Sequence, residues 1–102
     1  MALKRKSPLS LDEAEAMALQ GLTFLAGDGP RLGRFLSLTG IGPEELRSWA
    51  GTPRLQAAVL EHLLADESLL LVYASETGAN PERVAPALTL LHAAVAEAGQ
   101  GA

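Results

Sequence analysis

Residues 22–47 of this chain read LTFLAGDGPRLGRFLSLTGIGPEELR, and residues 60–85 read LEHLLADESLLLVYASETGANPERVA. Aligned with an offset of 38 residues, the two segments share nine identities over 26 positions. The shared element with the clearest structural meaning is Thr-Gly-x-x-Pro-Glu, at residues 39–44 and again at 77–82. A fixed internal period of this length is typical of stacked supersecondary units that bury a common core. The sequence therefore predicts two tandem helical repeats.

Within this element, each residue type has a structural role. Gly40 and Gly78 are expected to end a helix with positive φ, and Pro43 and Pro81 are expected to start the next one. This role accounts for the whole element without a binding function.

The remaining start and stop signals complete an all-α prediction of about six short helices. Ser10 and Glu13 have the spacing of a capping box. Asp28, Thr52 and Asp66 each stand where an N-cap is needed before an apolar helical stretch. No segment alternates with period two for long enough to be a strand.

Two stretches allow predictions, one about the burial of a helix and the other about the regularity of the last helix. Residues 69–74 are apolar on all sides, which predicts a helix enclosed by others. The last helix is expected to open at residues 80–82. Pro86 in its second turn either kinks that helix or delays its regular start.

Length and composition bound the domain organisation. One hundred and two residues suffice for one domain, and 48% hydrophobic against 20% charged residues predicts a folded chain. We expect a disordered basic arm at 1–8, a single all-helical domain at 9–99 with repeat halves at about 22–47 and 60–85, and a disordered tail at 100–102.

Cysteine is absent, which excludes disulfides and thiolate metal sites. Because the longest apolar run is too short to span a bilayer, we expect a soluble cytoplasmic protein.

Charge disfavours nucleic-acid binding. The net charge is −4, and from Ser7 onward five arginines face twelve acids. The apolar spacing around the repeated turns is close to that of a helix-turn-helix, whose second helix reads the major groove. Here that helix would begin with Glu44, Glu45 or Glu82, and carboxylates repel phosphates. A helix-turn-helix-like nucleic-acid-binding protein is therefore the alternative hypothesis, with a local basic patch at Arg31, Arg34, Arg47 and Arg54.

Candidate catalytic groups are few. His62 follows Glu61 and lies four residues before Asp66, which places a histidine and a carboxylate on one helix face. Such a pair is usually a surface or capping interaction, and His92 is expected at the boundary of the last helix. The histidines and carboxylates do not have the spacing of a metal ligand set, and no strand precedes the glycines at 27–33 as a phosphate-binding loop requires. We expect no active site, no cofactor and no enzymatic activity.

The sequence RLGRFLSLTG at 31–40, continuing through Pro-Glu at 43–44 to Leu-Arg at 46–47, resembles domain of unknown function 3572. This is a small uncharacterised family of alpha-proteobacterial helical proteins. The stretch from 57 to 70 resembles it as well. The likeness runs from about Ala14 to Val84, and the basic arm and the residues beyond Pro86 lie outside it. The family is similar in length to this chain and carries no assigned activity, cofactor or catalytic residue, so the resemblance implies none.

The first hypothesis for function is a non-enzymatic protein-interaction or regulatory adaptor module. Packed helical repeats leave grooves that accept a partner helix. A homodimer formed through the last helix is a related hypothesis. The competing interpretation is that the candidate contact residues all belong to the core. These candidates are Phe35, Leu38, Ile41, Trp49, Val84, Leu88, Leu91 and Val95.

Overall fold

Six α-helices and one 3₁₀ turn make up residues 8–100, the part of the chain that the computed structural model describes. No strand occurs in this range, so the all-helical prediction is confirmed. None of the helices described there combines the length and the apolar character needed to cross a membrane. Apart from Pro8 and Gln100, the predicted arm at 1–8 and tail at 100–102 lie outside the described residues. In chain order the elements are α1 (Leu11–Ala26), α2 (Gly29–Thr39), α3 (Pro43–Trp49), α4 (Pro53–Leu64), α5 (Glu67–Thr77), the 3₁₀ turn (Pro81–Arg83) and α6 (Val84–Gln100).

The helices α2 and α5, which lie in the two related segments, begin alike. The Asp28 carboxylate accepts a hydrogen bond from the Arg31 amide at 3.2 Å, and the Asp66 carboxylate accepts one from the Leu69 amide at 3.1 Å. Each bond satisfies an amide that has no partner within the first helical turn.

These two helices also end alike. Gly40 has φ 75° and Gly78 has φ 79°, so both lie in the left-handed region that the sequence predicts. In both, the hydroxyl of the preceding threonine donates to the carbonyl four residues back, at 2.7 Å. The predicted turn geometry is therefore confirmed at both positions.

Beyond the turns the two segments diverge. After Gly40, α3 begins at Pro43, whereas after Gly78 a 3₁₀ turn comes first and α6 begins only at Val84. Pro86 has no N–H to donate to the carbonyl four residues back, and its ring would collide with that carbonyl in a continuous α-helix. The delayed start is therefore the correct alternative, and an α-helix opening at 80–82 is wrong.

The core is built around α1, α4 and α6, which pack against one another. Where α1 meets α4, Gly21 is buried, and a Cβ placed there would lie 2.9 Å from Val59 Cγ1 and 3.2 Å from Leu63 Cδ1. Only a residue without a side chain permits this close approach. The buried apolar residues are Ala14, Ala18, Phe24, Leu25, Phe35, Leu55, Ala57, Val59, Leu60, Leu63, Tyr73, Val84, Ala87 and Leu91.

Two aromatic contacts hold α2 and α5 to the central helices crosswise. The rings of Phe24 and Tyr73 meet edge to face at 5.9 Å between centroids, joining α1 to α5. The rings of Phe35 and His62 meet in the same way at 5.2 Å, joining α2 to α4. Tyr73 also donates its hydroxyl hydrogen to the Met17 carbonyl at 3.1 Å. Each peripheral helix is thus anchored on the central helix of the other segment.

The prediction that residues 69–74 form an enclosed helix is wrong. In α5 only Tyr73 is fully buried, and Leu71 is 53% and Val72 36% exposed. The reason is that α5 lies at the periphery, where its inner side packs on α1 and α4 and its outer side faces solvent. Its apolar outer face is a surface feature and not part of the core.

Candidate interaction surface

The predicted contact residues do not form one surface. Phe35, Val84 and Leu91 have no exposed area, so they belong to the core and no partner reaches them while the chain is folded. Leu38 is 64% exposed on α2. The remaining four residues are half-buried: Ile41, Trp49, Leu88 and Val95. Of these, Ile41, Trp49 and Leu88 pack against the core. Of the eight predicted contact residues, only Leu38 has a largely exposed apolar side chain. The prediction failed for the others because helical spacing alone does not show which side of a helix is covered by neighbouring helices.

A groove with a volume of about 500 Å³ runs between α1 and the end of α5. Leu19 of α1, 52% exposed, borders it, and the exposed Val72 lies one turn before Glu76 on α5. We call it the α1–α5 groove. It is lined by Leu19, Gln20, Thr23, Phe24, Glu76 and Thr77.

A second, smaller groove continues along α1 toward its start and shares Gln20 with the first. Ala16, Gln20 and Thr23 recur at spacings of four and three residues, so both grooves follow one face of α1. This second groove lies between α1 and the 3₁₀ turn. It is lined by Leu9, Glu13, Ala16, Met17, Gln20, Ala79, Asn80 and Arg83.

Both arginines near these grooves lie close to carboxylates. Arg83 lies 3.7 Å from the Glu13 carboxylate, and Arg31, whose guanidinium lies 4.5 Å from the centroid of the Phe24 ring, is 3.6 Å from Asp28. Hydrogen bonds from the Ser10 amide and hydroxyl lower the pKa of Glu13, and Arg83 adds to this effect. Glu76 is exposed at the edge of the α1–α5 groove. The charge that the groove offers a partner is therefore negative.

The groups considered for catalysis point to different partners. The Glu61 carboxylate lies 2.8 Å from Nε2 of His92 on α6, while Asp66 caps α5. His62 packs its ring against Phe35 instead. Burial lowers the pKa of His62, Arg34 lowers it further, and Asp66 partly opposes both. In the described part of the chain, no three histidines or carboxylates are grouped so that they could hold a metal ion.

At the two turns, the positions that would read DNA carry acids. Glu44 and Glu45 are exposed in the first turn of α3, and Glu82 is exposed in the 3₁₀ turn. A short recognition helix with carboxylates at its start repels the phosphate backbone.

The sequence resembles one protein family throughout the region that contains the α1–α5 groove. A family described as "Protein of unknown function (DUF3572)" matches residues 11–94, from the first residue of α1 into α6. The chain belongs to this family. No curated protein and no solved structure matches it. For this DUF3572 protein, function must therefore be argued from its own surface.

The groove residues of α1 do not appear among the sequence-based candidates, although one signal points to them. The buried positions of α1, such as Ala14, Ala18 and Leu25, define its inner stripe. Leu19 follows Ala18 by one residue and so lies about 100° around the helix from that stripe. A large apolar residue away from the inner stripe is the feature that could have identified this surface.

Proposed function

We propose that this DUF3572 protein is a protein-interaction module without enzymatic activity and that it binds its partner along the α1–α5 groove. The observation that carries the proposal is the exposed Leu19 beside this groove of about 500 Å³. Exposed apolar side chains grouped around a concave surface are typical of interaction sites. The histidines support a non-catalytic role, since His62 packs on a ring and His92 pairs with Glu61.

We also propose that the chain consists of two related units, residues 22–47 and 60–85, which form a scaffold for this groove. The equal caps of α2 and α5 and their crosswise aromatic contacts support this proposal. Repeated helical units commonly present grooves between neighbouring helices. The proposal places the module in the cytoplasm, as the sequence predicts, and a fluorescent fusion imaged in living cells checks that location.

The test is an affinity pull-down from lysate of the source organism with three tagged proteins. Wild type, Leu19→Glu and Leu38→Glu are compared by quantitative mass spectrometry, with and without nuclease. Both substitutions replace an exposed leucine with a carboxylate side chain, but only position 19 borders the groove. We expect a protein that wild type and Leu38→Glu recover equally and that Leu19→Glu loses.

Other outcomes assign the function elsewhere. Loss with Leu38→Glu alone moves the contact to α2, which carries one of the predicted contact residues. Recovery that collapses on nuclease treatment favours the helix-turn-helix alternative. Sedimentation of purified protein at tens of micromolar addresses self-association, and a dimer mass would favour the homodimer hypothesis.

A further inference from the structure

The helices α1 and α4 lead into the two units and end at equivalent residues, Ala26 and Leu64, so the offset of 38 residues can be carried back along both helices. The contacts related by this offset are reciprocal. An offset of 38 residues relates Gly21 to Val59, the two residues that meet where α1 and α4 cross. The same offset relates Phe24 to His62 and Phe35 to Tyr73. The Phe24–Tyr73 contact therefore has its equivalent in the His62–Phe35 contact. Equivalent residues meet in pairs, as in a two-fold dimer.

The helix α6 packs against one face of α4. His92 of α6 bonds Glu61 at 2.8 Å, and Val95 and Ala98 line a groove with Arg54. Ala57 lies between Glu61 and Arg54 on the same face of α4 and is only 5% exposed. The helix α6 thus covers the middle of this face, where Ala57 is buried and Ala58 half-buried, while Arg54 and Glu61 at its two ends are exposed.

The equivalent face of α1 is open. The offset relates these four residues of α4 to Ala16, Leu19, Gln20 and Thr23 of α1, in the same order. All four α1 residues are exposed, and all four line the two grooves along α1. Where Ala57 is 5% exposed, its equivalent Leu19 is 52% exposed.

We propose that the face of α1 formed by Ala16, Leu19, Gln20 and Thr23 binds an amphipathic helix of a partner protein, as α4 binds the second half of α6. This inference rests on the proposed function and names the class of partner. The open space beside α1 is equivalent to the space beside α4 that α6 occupies.

The partner helix has a defined chemistry. Because Leu19 is larger than its equivalent Ala57, we expect the partner residue that faces it to be small. The exposed Glu76 at the edge of the groove calls for lysine or arginine on the partner. The net charge of −4 also favours a basic partner.

A second copy of this chain does not supply the helix. Its α6 packs against its own α1 and α4, and Val84, Ala87 and Leu91 of that helix are fully buried. Delivering α6 to another molecule would expose this core. Its α5 has Glu67 and Glu76 at the two ends of its apolar outer face, which is the wrong sign for Glu76.

Site-specific photo-crosslinking tests the proposal in cells of the source organism. A benzophenone amino acid replaces Gln20, which lines both grooves, and in a matched control it replaces Leu38 on α2. The crosslinked segment is mapped by mass spectrometry and synthesised as a peptide. We expect an adduct at position 20 only, to a segment with apolar or small residues at i, i+4 and i+7 and a nearby lysine or arginine.

The synthetic peptide then tests the mode of binding. Its dissociation constant should rise by about tenfold or more with Leu19→Glu, with Glu76→Lys, or with proline at the centre of the peptide. An extended segment that tolerates proline overturns the helical partner and leaves the proposed groove intact. An adduct to a second copy of the chain overturns the identity of the partner. An adduct at position 38 and none at 20 overturns both this inference and the proposed location of the site.

Discussion

The turn after α2 and the turn after α5 have the same geometry but lead to different helices. Gly40 and Gly78 differ by 4° in φ, yet α3 has seven residues and none is fully buried, while α6 has 17 and supplies three core residues. Pro86 stands in the second segment where the first has Ser48. A repeated sequence therefore determines a turn locally, but single residues beyond it decide which helix follows and what that helix covers.

The strongest test of this comparison concerns the buried aromatic residue in each of the two aligned segments. Phe35 and Tyr73 are equivalent in position, and neither has exposed area. Replacing either with alanine should lower the free energy of unfolding by about 3–5 kcal/mol, since a large buried ring leaves a cavity. Urea unfolding followed by circular dichroism measures the loss.

The matched control for Phe35→Ala is Leu38→Ala on the same helix. Leu38 is 64% exposed, so its truncation should change stability by no more than about 0.5 kcal/mol. Equal stability of the two variants would show that the Phe35 ring is not part of the core.

The crossing of α1 and α4 gives the next largest effect. A Gly21→Ala side chain would lie 2.9 Å from Val59 Cγ1, so either the helices separate or Val59 shifts. We expect a loss of about 1–2 kcal/mol after the better helix propensity of alanine is included. The same measurement in a Val59→Ala background should give a smaller loss, because the colliding methyl groups are gone. Identical losses in the two backgrounds would contradict the close approach.

The two turn glycines sharpen the comparison directly. Gly40→Ala and Gly78→Ala should each cost on the order of 1 kcal/mol, because both glycines have positive φ. A Cβ at either position meets nothing within 4 Å, so the cost is conformational alone and should be equal. Gly33→Ala is the control, since this site inside α2 is equally open and alanine there should stabilise the helix by up to about 1 kcal/mol. Unequal losses at 40 and 78, seen as different melting shifts, would mean that the turns are not equivalent.

The elements set by local chemistry were predictable from the sequence. The caps at Asp28 and Asp66, the left-handed glycines and the effect of Pro86 all depend on residues within a few positions of one another. Hydrogen bonding and φ preferences act at this range, so their signals lie in short stretches of sequence.

The features that depend on distant packing were not predictable in this way. The apolar stretch at 69–74 indicated a buried helix, but burial is decided by how many helices surround α5, and its outer side has none. Likewise, the helical spacing of Phe35, Val84 and Leu91 is compatible both with a contact surface and with a core, so it could not distinguish the two. The reciprocal aromatic contacts become visible only when the alignment of the two segments is combined with distances.

The smallest expected effect tests one difference between the two aligned segments, in which His62 stands where the first segment has Phe24. The pKa of His62 in the folded chain is lowered from 6.5, chiefly by burial. The unfolded chain therefore binds more protons just below that pH, so the free energy of unfolding decreases as pH falls through about 6.5 toward the folded pKa. Above the unfolded pKa of about 6.5, the contribution of His62 to stability is fully present. Urea unfolding between about pH 7.5 and about pH 5 measures the decrease.

The matched variant is His62→Phe, which gives the second aligned segment the aromatic ring that Phe24 supplies in the first. It retains an aromatic contact for Phe35 while removing the titrating group, so the decrease should become shallower. Arg34, Asp66 and the Glu61–His92 pair remain in this variant, so their effects are common to both proteins. The pKa of Glu13 is lowered from 4.5, so the stability that this group contributes is lost mainly at pH values below the measured range. An undiminished slope in His62→Phe would assign the pH dependence to other groups and contradict the contribution expected of His62.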